Sequence, residues 1–253
     1  IGRLGADEPG RLVADRLRAE SVELAPIPLD AAAPTGVFFA EQRTGDVGRV
    51  TYYRKGSAGS RLSADDVDTA APLITRARVL HVSGITPALS DTAYGALVRA
   101  LELARGAGVT ISFDVNYRSA LWERPRATRV LWDVARQADI VFADESELAV
   151  VGELGSVAEL VTKRGAEGAA SRVGGVRYEQ PAVPVRVVDV VGAGDALVAG
   201  YLAGWVAGFG PAERLRLGCL VAGFAVSTAG DWEGLPTRDE LSLLDLPPGS
   251  TVR

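Results

Sequence analysis

Short apolar stretches that end in polar residues alternate with helix-like stretches from residue 79 onward, and this alternation constrains the fold most strongly. The strand-like stretches are residues 79–82, 109–113, 140–142 and 160–162, and the helix-like stretches are 97–105 and 127–136. Strand–helix–strand repetition is typical of parallel βαβ units with short loops. We therefore predict an α/β fold with a mostly parallel central sheet flanked by helices.

Polar residues follow three of the predicted strands. They are Ser83, the stretch from Asp114 to Arg118, and the stretch from Asp144 to Glu147. Ligands of parallel sheets bind beyond the carboxyl ends of the strands. We therefore expect a binding site at this edge of the sheet.

Residues 34–58 have a different pattern, which predicts a β-hairpin. The apolar stretches 37–39 and 50–53 flank a turn segment at 43–48 that contains Gly45 and Gly48. We predict that this hairpin is a small flap, or lid, outside the main sheet, and that its apolar residues pair with a second copy in a homo-oligomer. A second hairpin is predicted at 169–178, around Gly174 and Gly175, and residues 247–249 are predicted to be a loose tail.

Composition excludes several classes of function. The 253 residues, 47% hydrophobic and 23% charged, fit one globular domain over 1–253, and no apolar run approaches the ~20 residues that cross a bilayer. A net charge of −5 argues against nucleic acid as a partner. One cysteine and one histidine exclude a disulfide scaffold, a zinc finger and chemistry that needs a histidine pair. We expect a cytoplasmic protein without membrane contact, because residues 1–10 lack a signal-peptide pattern.

The turn Gly192-Ala193-Gly194-Asp195 contains the candidate residues for anion binding and acid–base chemistry. It lies between a predicted strand at 185–191 and a predicted helix at 196–207. Unpaired N–H groups at a helix start, with glycines that let a phosphate approach, form an anion hole. Asp195 is then either a helix cap or a general base. A Walker loop is excluded, and so is a dinucleotide fingerprint, because its third glycine would have to replace Leu197. On the residues alone, a phosphate site and a structural turn both stay open.

The pattern Asp-x-x-Gly-Ala-Gly-Asp at 189–195 resembles the C-terminal signature of the PfkB (ribokinase-like) carbohydrate kinases, and in particular of 2-keto-3-deoxygluconate kinases. The resemblance extends over further stretches in family order, namely 2–10, 34–36, 52–58, 81–89, 114–118, 163–168 and 230–236. It implies a ribokinase-like fold and ATP-dependent phosphorylation of a sugar-acid hydroxyl, most simply of 2-keto-3-deoxygluconate to its 6-phosphate. The family's first strand and Gly-Gly segment have no counterpart here, and the chain contains no methionine. We therefore expect the family's N-terminal segment to be missing from this sequence.

The resemblance also implies roles for individual residues. Asp195 is the catalytic base, and Gly192, Ala193 and Gly194 hold the transferring phosphate. The implied sugar-acid contacts are Gly36, Phe38, Tyr52, Arg54, Ile85, Arg118 and Asp231. The implied ATP contacts are Asn116, Arg118, Lys163, Gly165, Ala166 and Gly168. Asp144 and Glu147 are implied to organise Mg²⁺ indirectly, although an acidic first turn of a helix explains them equally well.

Three alternatives remain at this point. A kinase for a neutral sugar such as fructose or ribose has no need of Arg54. A non-catalytic sugar- or nucleotide-binding module has no need of Asp195 as a base. A dehydrogenase on a similar sheet is disfavoured by the absent dinucleotide fingerprint.

Overall fold

The computed structural model describes residues 1–44, 47–155, 157–246 and 250. The chain forms two compact units. The first contains Ile1–Ile111 and Asn116–Leu131, and the second contains Ser112–Val115 and Trp132–Arg253. The single domain that we expect over 1–253 stays a prediction.

The first unit is built of short strands and mostly short helices. Its strands are β1 (Leu4–Gly5), β2 (Leu29–Asp30), β3 (Val37–Thr44), β4 (Val47–Tyr53) and β5 (Val79–Ser83). Its helices are α1 (Glu8–Ala19), α2 (Ala64–Thr69), α3 (Ala71–Ile74), α4 (Thr86–Leu89) and α5 (Asp91–Gly106). Strand β6 (Thr110–Asp114) and helix α6 (Arg124–Ala135) have residues in both units.

The hairpin predicted at 34–58 is confirmed as an antiparallel pair, β3 with β4, that forms a two-stranded sheet of its own. Phe38 is the register partner of Tyr52, with ring centroids 5.6 Å apart, and the ring of Phe39 lies diagonally across the strands from that of Tyr53, at 5.7 Å. Because successive side chains of a strand point to opposite faces, each face of the hairpin carries one aromatic pair. The predicted turn residues Gly45 and Asp46 lie outside the described residues, and the lid function stays a prediction.

The second unit contains a sheet and the helices that cover it. Its further strands are β7 (Ile140–Asp144), β8 (Glu159–Lys163), β9 (Ala169–Val173) and β10 (Val176–Gln180). Its helices are α7 (Glu145–Val151), α8 (Ala193–Val206) and α9 (Pro211–Val226). The strand order is β10-β9-β8-β7-β6, with parallel pairing from β6 through β8 and antiparallel pairing from β8 through β10.

The core of the second unit lies between the sheet and helices α8 and α9. Its buried members are Ile140, Phe142, Val161, Ala169, Leu197, Val198, Tyr201, Leu215 and Cys219. Strand β7 has a near-continuous apolar run, Ile140 to Ala143, that is buried throughout, as expected of a strand paired in parallel on both sides. Among the helices of the described ranges, none is long and apolar enough to span a bilayer.

Most predicted elements are confirmed, and helices begin earlier than their apolar pattern indicates. Helix α5 begins at Asp91 rather than 97, because the Ser90 hydroxyl accepts the Ala93 N–H at 3.0 Å and caps the helix. The hairpin predicted at 169–178 is present as β9 and β10. The tail prediction at 247–249 lies outside the described residues.

The strand predicted at 185–191 is wrong. These residues join no strand of the described chain, and the N–H groups of Val188 and Asp189 donate instead to the carbonyl of Val226, at 2.7 and 3.3 Å. Pro181 and Pro184 follow β10 directly, and proline has no N–H for a sheet ladder. Helix α8 correspondingly begins at Ala193, three residues before the predicted start at 196.

A buried polar network lies within the core. Both carboxylate oxygens of Glu159 accept hydrogen bonds from Arg214, at 2.8 and 3.0 Å, and the Tyr201 hydroxyl donates to one of them at 3.0 Å. Burial, with the neighbouring Glu159 charge, raises the pKa of Tyr201 above its ordinary range. The Arg214 and Glu159 side chains are only 8% and 14% exposed. Removing either charge therefore leaves the other in a poorly solvated position.

We expect Glu159→Gln to destabilise the protein by about 3 kcal/mol, because it leaves the buried Arg214 charge unpaired. Tyr201→Phe removes one hydrogen bond and is expected to cost about 1 kcal/mol. Urea unfolding followed by circular dichroism measures both. The exposed pair of Glu179 with Arg177 provides the control, since Glu179→Gln is expected to leave the midpoint unchanged. A wild-type midpoint for Glu159→Gln would contradict the assignment.

Candidate active site

The turn before α8 has the geometry of an anion-binding helix start. Gly192 is the N-cap and has a left-handed φ of 77°. The N–H of Ala193 donates to the Val190 carbonyl at 3.3 Å, and the helical ladder begins with the N–H of Ala196. The N–H groups of Gly194 and Asp195 precede the ladder, so the helix itself leaves them unpaired.

Asp189 holds this turn in place, a role that our sequence reasoning missed. One carboxylate oxygen accepts the Val191 N–H at 3.0 Å, and the other accepts the Gly230 N–H at 3.3 Å. The carboxylate thus joins the turn to the loop that carries Asp231. Its signal in the sequence is its place as the first residue of Asp-x-x-Gly-Ala-Gly-Asp.

Asp231 lies directly against the turn. A Cβ on Gly192 would collide with the backbone carbonyl and the carboxylate of Asp231, so only glycine fits at this position. Burial, followed by the nearby charges of Asp195, Glu233 and Asp189, raises the pKa of Asp231. The structure therefore brings together Asp231 and the turn that contains Asp195, which the sequence places 36 residues apart.

Lys163, at the end of β8, is held by two buried carboxylates. Its ammonium is 2.7 and 2.9 Å from the oxygens of Asp114, at the end of β6, and 3.5 Å from Glu147. Burial alone would lower the pKa of Lys163, but the charges of Asp114 and Glu147 outweigh it and raise this pKa. Lys163 therefore stays charged. Asp114 is absent from our predicted site, although its position after a strand was a signal.

The Lys163 ammonium also lies beside the turn. A Cβ on Gly194 would lie 3.9 Å from Lys163 Nζ and 3.8 Å from its Cδ. A fixed positive charge and the N–H groups at the start of α8 thus face the same space. Together they are suited to bind an anion such as a phosphate.

Asp144 and Glu147 form a capping box at the start of α7. The Asp144 carboxylate accepts the Glu147 N–H at 2.7 Å, and the Glu147 carboxylate accepts the Asp144 N–H at 2.8 Å. Burial raises the pKa of Glu147. No group of three or more His, Cys, Asp or Glu residues within the described ranges is placed to hold a metal ion. Mg²⁺ is often bound by one or two carboxylates together with substrate phosphates, so this donor set fits it, and the Mg²⁺ function stays a prediction.

A cavity of about 610 Å³ adjoins Lys163 and the turn. Its walls come from the loop after β8, the start of α8, helix α9 and the segment before the turn. The lining residues that the sequence predicts as site residues are Lys163, Gly165, Ala166, Gly168, Ala193 and Gly194. The volume lies within the range of small-molecule and cofactor sites.

The predicted sugar-acid contacts other than Asp231, together with the predicted ATP contact Asn116, belong to the first unit. Gly36, Phe38, Tyr52 and Arg54 come together at the base of the hairpin, with the Arg54 guanidinium 3.8 Å above the Tyr52 ring. The Arg54 Nε atom is buried and has no hydrogen-bond partner among the described residues. Ile85 is the N-cap residue of helix α4. Asn116 and Arg118 lie in the loop between β6 and α6.

Comparison with known proteins adds an independent finding. The model of the pfkB family of carbohydrate kinases matches residues 1–238. The 2-dehydro-3-deoxygluconokinase of Thermoproteus tenax is 37% identical, over 95% of this chain and 77% of that protein.

Two solved structures have similar folds. The PfkB protein of Polaromonas sp. JS666 has a TM-score of 0.83 at 32% identity, over 95% of this chain and 81% of that one. A putative Ribokinase II of E. coli in complex with ATP and Mg²⁺ has a TM-score of 0.88 at 25% identity, over 97% and 82%. The predicted α/β fold is therefore confirmed as ribokinase-like.

We expect Gly192→Ala to lower the free energy of unfolding by about 1–3 kcal/mol, since alanine is strained at positive φ and its Cβ meets Asp231. Gly95→Ala, in the interior of α5 with open space around it, is the matched control. It is expected to raise stability by about 0.5–1 kcal/mol. Thermal unfolding compares the two, and equal stability of both variants would contradict the described turn.

Proposed function

Because the chain belongs to the pfkB family of carbohydrate kinases, we propose that it transfers the γ-phosphoryl group of ATP to a sugar-acid hydroxyl. The proposed acceptor is 2-keto-3-deoxygluconate, the sugar named in the Thermoproteus tenax relative, and the product is its 6-phosphate. The observation that carries the proposal is the cavity that ends at Lys163 and Gly194, next to Asp195. This arrangement supports phosphate binding beside a carboxylate base.

In the proposed mechanism, Asp195 accepts the proton of the acceptor hydroxyl as its oxygen attacks the γ-phosphorus. The new O–P bond forms while the bond to the β-phosphate oxygen breaks, and ADP leaves. The turn Gly192-Ala193-Gly194 binds the transferring group through backbone N–H groups, and the Gly194 N–H precedes the helical ladder. Lys163 adds a fixed positive charge, because phosphoryl transfer depends mainly on positioning and charge stabilisation.

The proposed ATP site is the cavity of the second unit. Lys163, Gly165, Ala166 and Gly168 line it, which supports the contacts implied by the resemblance. Asn116 and Arg118 stay predicted contacts. Mg²⁺, when bound with ATP, neutralises phosphate charge, and Asp144 and Glu147 are the residues proposed to help hold it.

Arg54 is the proposed partner of the sugar-acid carboxylate. Its buried, unpartnered Nε supports this, since a guanidinium binds a carboxylate with two parallel hydrogen bonds. Tyr52 and Phe38 supply aromatic surface beside it, with Gly36 and Ile85 as further proposed contacts. Asp231 is proposed to accept sugar hydroxyls. Pairing of the hairpin with a second copy and a cytoplasmic location both stay predictions from the sequence.

Loss of the proposed base is the direct test of the mechanism. We expect Asp195→Asn to lower kcat with 2-keto-3-deoxygluconate by about 10²–10⁴-fold, with little change in ATP affinity. A coupled assay of ADP formation measures the rate, and calorimetry measures nucleotide binding.

Asp133→Asn is the matched control, because the Asp133 side chain is 42% exposed and its carboxylate pairs with its helical neighbour Arg136. It is expected to keep wild-type activity. Wild-type kcat for Asp195→Asn would refute the assigned base, and absence of phosphoryl transfer by the wild-type protein would favour a non-catalytic binding module.

A second prediction concerns the acceptor. We expect Arg54→Met to lower kcat/KM for 2-keto-3-deoxygluconate about 100-fold, because it removes the partner of a bound carboxylate. Turnover of fructose, which has no carboxylate, is expected to change little. Arg49→Met, at an exposed arginine of β4, the strand that directly precedes Arg54, is the control. A wild-type preference for fructose would support the neutral-sugar alternative instead.

A further inference from the structure

We infer that the cavity of the second unit accepts nucleoside triphosphates with little regard to the identity of the base. The inference rests on the proposed function, because it concerns the phosphoryl donor of that reaction. It follows from the chemistry of the cavity walls that α9 and the segment 182–190 form. Those walls suit the flat face of a ring, and they lack the side chains that would distinguish one base from another.

The first observation is the composition of the walls. Helix α9 contributes Cys219, Ala222, Gly223 and Val226, and the segment 182–190, which packs against α9, contributes alanine, valine and proline. Among the described residues that line the cavity, only Lys163 and Cys219 have side chains that form hydrogen bonds, and the Cys219 thiol lies 3.9 Å from the Gln180 carbonyl. Lys163 is held at the phosphate end. A base therefore meets no amide, hydroxyl or carboxylate side chain along these walls.

The backbone groups around the cavity differ between α9 and the segment 182–187. In α9, the Gly223 carbonyl accepts the Ser227 hydroxyl at 2.7 Å, and the Val226 carbonyl accepts two N–H groups. The adjoining segment, 182–187, is neither helix nor strand. Except at Pro184, each of its residues presents both a donor and an acceptor. Polar contact between a base and this segment is therefore limited to main-chain N–H and C=O groups.

Two exposed aliphatic side chains provide a surface on which the ring of a base can stack. Val187 and Val190 line the cavity and are 58% and 69% exposed. A stacked base would cover this apolar surface, and every base presents a similar flat face. Sites that recognise by apolar shape discriminate by only about 10–200-fold, whereas sites built on specific hydrogen bonds reach about 10⁴–10⁵-fold.

The experiment measures kcat/KM of the wild-type protein for ATP, GTP and ITP, with the sugar acid saturating. The expected result is that GTP and ITP lie within about 200-fold of ATP. A larger preference for ATP overturns the inference. Calorimetric titration with ADP, GDP and IDP tests base tolerance without catalysis. A protein that binds these nucleotides alike but phosphorylates no sugar refutes the proposed function while leaving the inference standing.

A pair of variants tests where the base lies. Ala222→Asp introduces an acceptor-only carboxylate, which matches the N–H donors on the edge of guanine. It is expected to shift the ratio of GTP to ATP turnover at least 10-fold towards GTP. Ala222→Leu adds similar bulk without polarity and is expected to weaken both nucleotides while keeping the ratio. An unchanged ratio in a folded Ala222→Asp protein overturns the placement of the base against α9.

Discussion

The ion pair of Lys163 with Asp114 and Glu147 is the interaction on which the candidate site depends. The three residues come from the ends of β8 and β6 and from the start of α7, which follows β7. Parallel pairing brings these strand ends to one edge of the sheet, and Asp144 is the register partner of Lys163. The two carboxylates keep a buried ammonium charged beside Gly194, which burial alone would oppose. The parallel pairing of the strands therefore fixes the position of the positive charge of Lys163.

The turn before α8 depends on a different set of constraints. Asp189 joins it to the Gly230 loop, and Gly192 allows Asp231 to pack against its backbone. These contacts hold Asp195 at a fixed place in the first helical turn. The cavity is thus polar at its Lys163 end and apolar along α9. This asymmetry suits a ligand with a charged tail and a flat ring, which supports the proposed nucleotide site.

Much of the second unit was predictable from local patterns. Apolar runs located strands β6, β7 and β8, and Gly174-Gly175 located the hairpin of β9 and β10. The segment 185–191 shows the limit of such patterns. Its valines have strand propensity, but the N–H groups of Val188 and Asp189 donate to the carbonyl of Val226 instead of to a neighbouring strand. Asp189 and Asp114 lie in stretches that the sequence analysis names, but their roles were missed because each acts through a partner 41 or 49 residues away. No local spacing indicates such partners.

Local sequence patterns were enough to predict the α/β class, the hairpin and the Gly-Ala-Gly-Asp turn, since periodicity, glycine placement and helix-start chemistry are local properties. The sequence motif also indicated the kinase family, which the family match confirms. Three features became evident only from the fold. Lys163 is shared by two carboxylates, Asp231 packs on Gly192, and the cavity wall at α9 is apolar. These features depend on which strand ends and helix faces become neighbours. That choice reflects packing and hydrogen bonding over the whole unit rather than the preference of any one segment.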